Sequence, residues 1–200
     1  MGIGKQSKTL NKNQIEMVRT FLRSKRNGLR NETIFLLSVK GGLRSKEISL
    51  LSWKMVLKSD GTIDDYINLP NSSSKGKGGG RIIPLHKDIK SNLQIMLMEH
   101  RGLFGFNQNT SFIVRTERTP FTTSQSIVNM FQSWYGRLGL LGCSSHSGRR
   151  TFITETSKKI SLVGGSLRDI QMMVGHQSLQ TTQRYIEGDS KSQRKVVDLL

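Results

Sequence analysis

The sequence is short of several things at once: it has one cysteine, three prolines and 14 acidic residues among 200, and no apolar run approaches the ~20 residues that span a bilayer. A single thiol, Cys143, excludes an internal disulfide and suits a reducing compartment. The opening MGIGKQSKTLNKNQ is basic and lacks the apolar stretch of a signal peptide. It starts Met-Gly, but Gln6 stands where N-myristoylation requires Ser or Thr. These absences lead us to expect a cytosolic protein without membrane contact. The scarcity of acid weighs most. Against 14 Asp and Glu stand 31 Lys and Arg, a formal charge of +17. Such an excess points to a polyanionic partner, nucleic acid above all, and to binding that weakens steeply with salt. Charge alone does not separate an enzyme from a sticky basic protein.

What is present reads as one α-rich domain with a small sheet. Apolar residues, 34% of the chain, fall in short separated groups that favour a packed core over disorder. There are no internal repeats. Residues 1–10 read as a loose basic arm. Ile15, Val18, Phe21 and Leu22 recur at helical spacing, with Asn11 or Asn13 as cap and Gly28 as the end of that unit. NETIFLLSVKGG predicts a second helix with Ile34, Phe35 and Leu37 inward, stopped by Gly41-Gly42. RSKEISLLSW predicts a short third, capped by Ser45. MVLKSDGTIDDYINLP reads as two short strands about an Asp60-Gly61 turn, and NSSSKGKGGGRIIPL as a glycine-rich hairpin turn entering another strand. Helices follow over HKDIKSNLQIMLMEH, with Ile89, Leu93, Met96 and Leu97 inward, and over TSQSIVNMFQSWYGRLGL, capped by Thr123 or Ser124. SGRRTFITETSKKI, SLRDIQMMVG and the short polar SLQTTQRYIE continue the pattern, and SKSQRKVVDLL is a last helix or a tail.

Four polar clusters could carry chemistry. In GGLRSKEISLL, Arg44 follows a glycine pair, which permits close backbone approach, and arginine is the best bidentate partner of a phosphate. The plainer reading is a surface arginine paired to Glu47 three residues on. In SSSKGKGGGRIIPL, Lys75 and Lys77 sit beside Arg81 in a flexible turn, either as basic decoration or as mobile proton donors. No GxxxxGK[ST] is present, so this is not a P-loop. In SSHSGRRTF, His146 and Arg149 share a helix face near its anion-favouring N-terminus, with Ser145 or Ser147 as cap. Cys143 and His146 form a CxxH without the second cysteine of a structural zinc site. In GHQSLQTTQRYIE, nine residues on one unbroken helix would turn roughly 900° and set His176 and Tyr185 on opposite faces, about 13 Å apart. They meet only if the chain breaks between them. Gly175 supplies a stop and Ser178 a fresh cap. The helical neighbours of Tyr185 are Thr181, Thr182, Gly188 and Asp189, which makes it a working phenol rather than core filler. Arginines, a lysine, histidines and a tyrosine, without a carboxylate pair or a metal-ligand set, suit a phosphodiester. The arginines hold its oxygens, and the phenol attacks phosphorus.

In this order the clusters resemble the tyrosine recombinase (phage integrase) family from about Leu29 to Glu187. GLRSKEI is similar to its first arginine box, SKGKGGGRIIPL to its β-hairpin lysine, HSGRRTF to its His-x-x-Arg box, and GHQSLQTTQRYIE to its Gly-His box followed by Thr-x-x-Tyr. The last two are the specific ones. The resemblance implies an α+β, predominantly helical catalytic-domain fold with a small antiparallel hairpin. It implies Tyr185 as nucleophile of a 3′-phosphotyrosyl intermediate, Arg44 and Arg149 as phosphate clamp with His176, Lys75 as general acid, and His146 as a mover of the tyrosine proton. It implies double-stranded DNA as partner, a homotetramer on paired sites, an accessory DNA-bending or clamp protein, no cofactor or metal, and a prokaryotic or phage origin.

Two features depart from the family pattern. The family lysine stands eight residues before the strand proline. Counting back from Pro84 gives Gly76, flanked by Lys75 and Lys77, and Ser74-Lys75-Gly76 favours Lys75. Members also carry an N-terminal helical domain that clamps DNA. Here about 28 residues precede the second helix. We therefore expect 1–28 to be a short arm and first helix, 29–187 the catalytic domain and 188–200 a C-terminal helix or tail, with no separate N-terminal domain. A type IB topoisomerase-like enzyme and a DNA-binding regulator on the same scaffold stand as alternatives. A generic RNA-binding protein ranks last, as no aromatic stacking motif is visible.

Overall fold

A computed structural model describes residues 7–71, 80–185 and 197–198. Lys75, Lys77, Glu187 and nearly all of the C-terminal segment lie outside the described residues. Helices α1 (Lys12–Arg23), α2 (Gly28–Val39) and α3 (Ser45–Ser49) lead into strands β1 (Tyr66–Leu69) and β2 (Arg81–Pro84). Helices α4 (Lys87–Arg101), α5 (Ser124–Arg137), α6 (Ser147–Ser157), α7 (Leu167–Val174) and α8 (Leu179–Gln183) follow. The two strands pair antiparallel, with Ile67 opposite Ile83. The predicted strand before Asp60-Gly61 is reduced to a single bridge, Leu57 to Ile63, although the turn itself forms with Gly61 at φ +80°.

Helix starts follow local side-chain chemistry. Asn11 caps α1 in a reciprocal box with Gln14, both bonds at 2.9 Å, which satisfies two orphan amides. Thr123 caps α5. Two expectations are corrected. Gly28 begins α2 rather than ending α1, because the αL residue Asn27 (φ +58°) redirects the chain first. The cap of α3 is Arg44, not Ser45. The Glu47 carboxylate accepts the Arg44 N–H at 2.8 Å and does the work assigned to a serine hydroxyl. A third correction concerns the arm, whose described part is pinned. Lys8 N–H donates to Gly142 O at 3.0 Å, Leu10 N–H to Thr151 Oγ1 at 2.8 Å, and the Leu10 side chain is buried.

Two apolar clusters result. The main one runs through α1 to α5 and both strands, and includes Leu22, Phe35, Trp53, Ile67, Leu93 and Phe131. The second is small: Ile153, Ile170 and Val174 are buried, with Phe152, Ile160, Leu167, Met173 and Tyr185 packed around them. Helix α6 joins the two by lying against α2. Gly148 permits that approach, since a Cβ there would stand 2.9 Å from Ser38 Cβ. Gly148→Ala is therefore expected to destabilise the fold by about 1–3 kcal/mol, as overpacking does, read as a lower urea midpoint at unchanged m-value.

Candidate active site

Helices α3, α6 and α7, strand β2 and the turn after α7 converge on one cluster of charge. Glu47, on α3, is 1% exposed. Its oxygens take both Arg81 terminal nitrogens, at 2.9 and 2.8 Å, and the Arg44 Nη1 at 2.8 Å. Burial alone would raise its pKa. The Arg81 hydrogen bonds and charge, with Arg44 behind them, outweigh that and hold the carboxyl below its usual range. Arg81 also donates from Nε to Met173 O at 2.9 Å, tying β2 to the end of α7. Three of its five donors are thereby committed to structure.

Arg149, on α6, is 4% exposed and bridges two backbone segments, from Nη1 to Gly42 O at 2.6 Å and from Nη2 to Val174 O at 2.7 Å. Gly42 allows this at φ +66°, with the Phe152 ring where a Cβ would sit. The close approach expected at the glycine pair is thus made by side chains of α6. Desolvation, reinforced by Arg44, lowers the Arg149 pKa to about 9, so it stays cationic at neutral pH. Three of its N–H groups remain for an anion. Arg44 is about a quarter exposed and joins this cationic surface from the α3 side. Its predicted pairing with Glu47 three residues on is observed.

The break between His176 and Tyr185 forms as the sequence requires. Gly175 ends α7 in the αL conformation (φ +63°), and Ser178 caps α8. The two rings then stack, with centroids 5.5 Å apart and planes 22° from parallel. His176 Nδ1 bonds to the buried Thr182 hydroxyl at 3.0 Å, which leaves Nε2 for a ligand. Gln171 holds the His176 backbone from Nε2 to O at 3.0 Å. Desolvation, then Arg149, Arg44 and Arg81, push the imidazole down to about 4. Tyr185 departs from the exposed phenol expected of its polar neighbours. It is half-buried against Ile153, Ile170 and Val174, and its backbone O accepts from Thr154 Oγ1 at 3.2 Å.

His146 is the outlying member. It is itself the N-cap of α6 and is exposed, its N–H donating to Ser144 Oγ at 3.2 Å. Neither predicted serine cap of α6 is used, and Ser147 Oγ instead accepts from Ser144 N–H at 2.9 Å. Among the described residues no hydrogen bond or ring contact joins its ring to Tyr185. The sequence reading missed Arg81, Thr182 and Gln171, and it cast Glu47 only as a surface partner. A lone acid amid Ile48, Leu50 and Leu51 in so basic a chain was the available signal for Glu47.

Two measurements check this electrostatic arrangement. Glu47→Ala leaves its arginines uncompensated and is expected to cost about 3–5 kcal/mol of unfolding free energy, the usual cost of breaking a buried pair from one side. In the wild type the Glu47 contribution is full at neutral pH and is lost as pH falls through its depressed pKa. The His176 ring is expected to stay neutral in the free protein down to pH 5 and to titrate near 4, followed by its NMR ring resonances. A midpoint near the ordinary 6.5 would contradict its burial among arginines.

The phage integrase family model matches residues 8–192. The tyrosine recombinase XerA of Pyrococcus horikoshii is 27% identical over 124 residues, which cover 62% of this chain and 41% of that protein. Among solved structures, the integrase of the Tn1549 transposon in complex with circular intermediate DNA superposes with a TM-score of 0.74 at 18% identity, covering 98% of this chain and 67% of that one. A XerA recombinase crystal structure gives 0.73 at 20% identity, covering 96% and 64%. The chain thus spans about two fifths of the length of its curated relative. With the family model running through almost the whole chain and the fold shared with these recombinases, the protein belongs to the phage integrase family.

Proposed function

We propose that this chain is a site-specific DNA strand transferase that cuts and rejoins double-stranded DNA through Tyr185. The observation that carries the reading is the stacking of a phenol on a neutral histidine beside Arg149 and Arg44. Residues 29–187 are the catalytic module in this reading. The free N–H groups of Arg149 and Arg44 hold the non-bridging oxygens of the scissile phosphate, and His176 Nε2 adds a hydrogen bond. Tyr185 Oη forms a bond to phosphorus and the bond from phosphorus to the 5′ oxygen breaks. A 3′-phosphotyrosyl link and a 5′-hydroxyl result.

The leaving oxygen takes its proton from the hairpin lysine, Lys75 or its neighbour Lys77. The tyrosine proton passes to a base, the role given to His146. A 5′-hydroxyl from a partner strand reverses the step. The phosphoester energy is kept in the link, so the balance requires no nucleotide triphosphate and no metal. Exchange between two duplexes needs a tetramer on paired sites, and an accessory DNA-bending or clamp protein completes the assembly.

The test is incubation with DNA of the source element in EDTA, quenched with SDS. A covalent protein–DNA adduct is expected from the wild type and none from Tyr185→Phe. Arg44→Ala is expected to slow adduct formation about 10²–10³-fold, the usual effect of losing one transition-state donor. Tight, salt-sensitive binding without an adduct would favour a DNA-binding regulator instead. An adduct that persists in Tyr185→Phe would move the nucleophile elsewhere.

A further inference from the structure

A cavity of about 370 Å³ lies between the start of α2, the end of α4 and residues 115–117. None of the groups assigned to DNA cleavage lines it. His100 does, and it is 7% exposed. Trp53 Nε1 donates to its Nδ1 at 3.1 Å, and the two rings meet edge to face at 5.2 Å. A neutral imidazole that accepts at Nδ1 carries its proton on Nε2. Among the described residues that proton has no acceptor. Burial and the neighbouring Arg115 keep the ring neutral by lowering its pKa to about 4.

Arg115 lines the same cavity, and its guanidinium has no hydrogen bond or ion pair among the described residues. Arg30 also lines it, with Nε and Nη2 donating to Asn31 Oδ1 at 3.1 and 2.9 Å and its pKa lowered by desolvation. Met96 and Leu103 supply an apolar wall. The enclosure is held by side-chain bonds. Arg30 Nη1 donates to Arg115 O at 3.1 Å, while Asn27 Nδ2 and Arg26 Nη2 take the two Glu117 oxygens at 3.1 and 2.6 Å.

We propose that this cavity binds a small organic oxyanion, a carboxylate or phosphate group on a short apolar body, received by His100 Nε2–H and Arg115. A cavity-lining histidine donor with no acceptor among the described residues, beside an arginine with no ion pair among them, suits an anionic acceptor. The volume falls in the range of small-molecule pockets rather than of a groove for a duplex. The lining also carries Glu117, whose carboxylate is taken up by Arg26 and Asn27, and the exposed Glu99.

The test follows the ring nitrogens of His100 by NMR in the full chain as inorganic phosphate or acetate is added, against sodium chloride at matched ionic strength. A saturable Nε2 shift with phosphate or acetate is expected, and the better probe identifies the headgroup. Arg115→Ala is expected to weaken that binding about tenfold or more, with Trp53 fluorescence and the Tyr185–DNA adduct unchanged. A shift no larger than in sodium chloride, one seen only with duplex DNA, or unaltered binding by Arg115→Ala would overturn the proposal.

Discussion

Glu47 is the buried anion around which the arginine cluster is assembled. The chain carries +17, and the site gathers Arg44, Arg81 and Arg149 where like-charge repulsion would otherwise drive them apart. One carboxylate takes two of these guanidiniums directly. The division of labour among the arginines follows. Arg81 spends its fork on Glu47 and Met173 O and becomes a strut between sheet and helix. Arg149 is held by carbonyls alone, so its charge is not cancelled. The cluster is left with a net excess of cation. The same excess, added to burial, strips the proton from His176 and fixes it as a neutral ring.

Much of this was legible in the sequence, because local physics decided it. Helical periodicity placed α4 with its inward residues and α5 as a helix, and Asn11 and Thr123 stood among the candidate caps for two starts. The geometry of nine residues on a helix, with Gly175 just before His176 and Ser178 just after it, was enough to show that His176 and Tyr185 meet only across a break. What the sequence concealed was non-local. Leu10 looks like a stray apolar residue in a basic arm, and its burial depends on Thr151, far along the chain. Tyr185 has polar helical neighbours, and its packing partners come from α6 and α7. Ser45 is a better cap than Arg44 by propensity, yet Glu47 reaches back and supplies the acceptor. No window of residues contains the information that Arg81 lies under α7.

Glycines in the motifs have structural duties that a motif reading assigns to the ligand. Gly42 and Gly148 are filled from opposite sides by Phe152 and Ser38, so that α6 and its arginine settle against α2. Gly175 both turns the chain and makes room for the Arg81 side chain, 3.0 Å from where its Cβ would be. Each removes a methyl group to let a charged side chain reach a carbonyl or a carboxylate.

The uneven apolar packing has a kinetic consequence. Among the described residues, the segment bearing His176 and Tyr185 rests on three fully buried aliphatic side chains, whereas α1 to α5 share a far larger core. Free energies of local opening track such packing, so the last two described helices form a separate cooperative unit at the low end of the range. Amide exchange in that unit then outpaces exchange in α2 by a margin set by Ile153, Ile170 and Val174. Tyr185 can leave its stacked position on His176 while the scaffold beneath it stays folded.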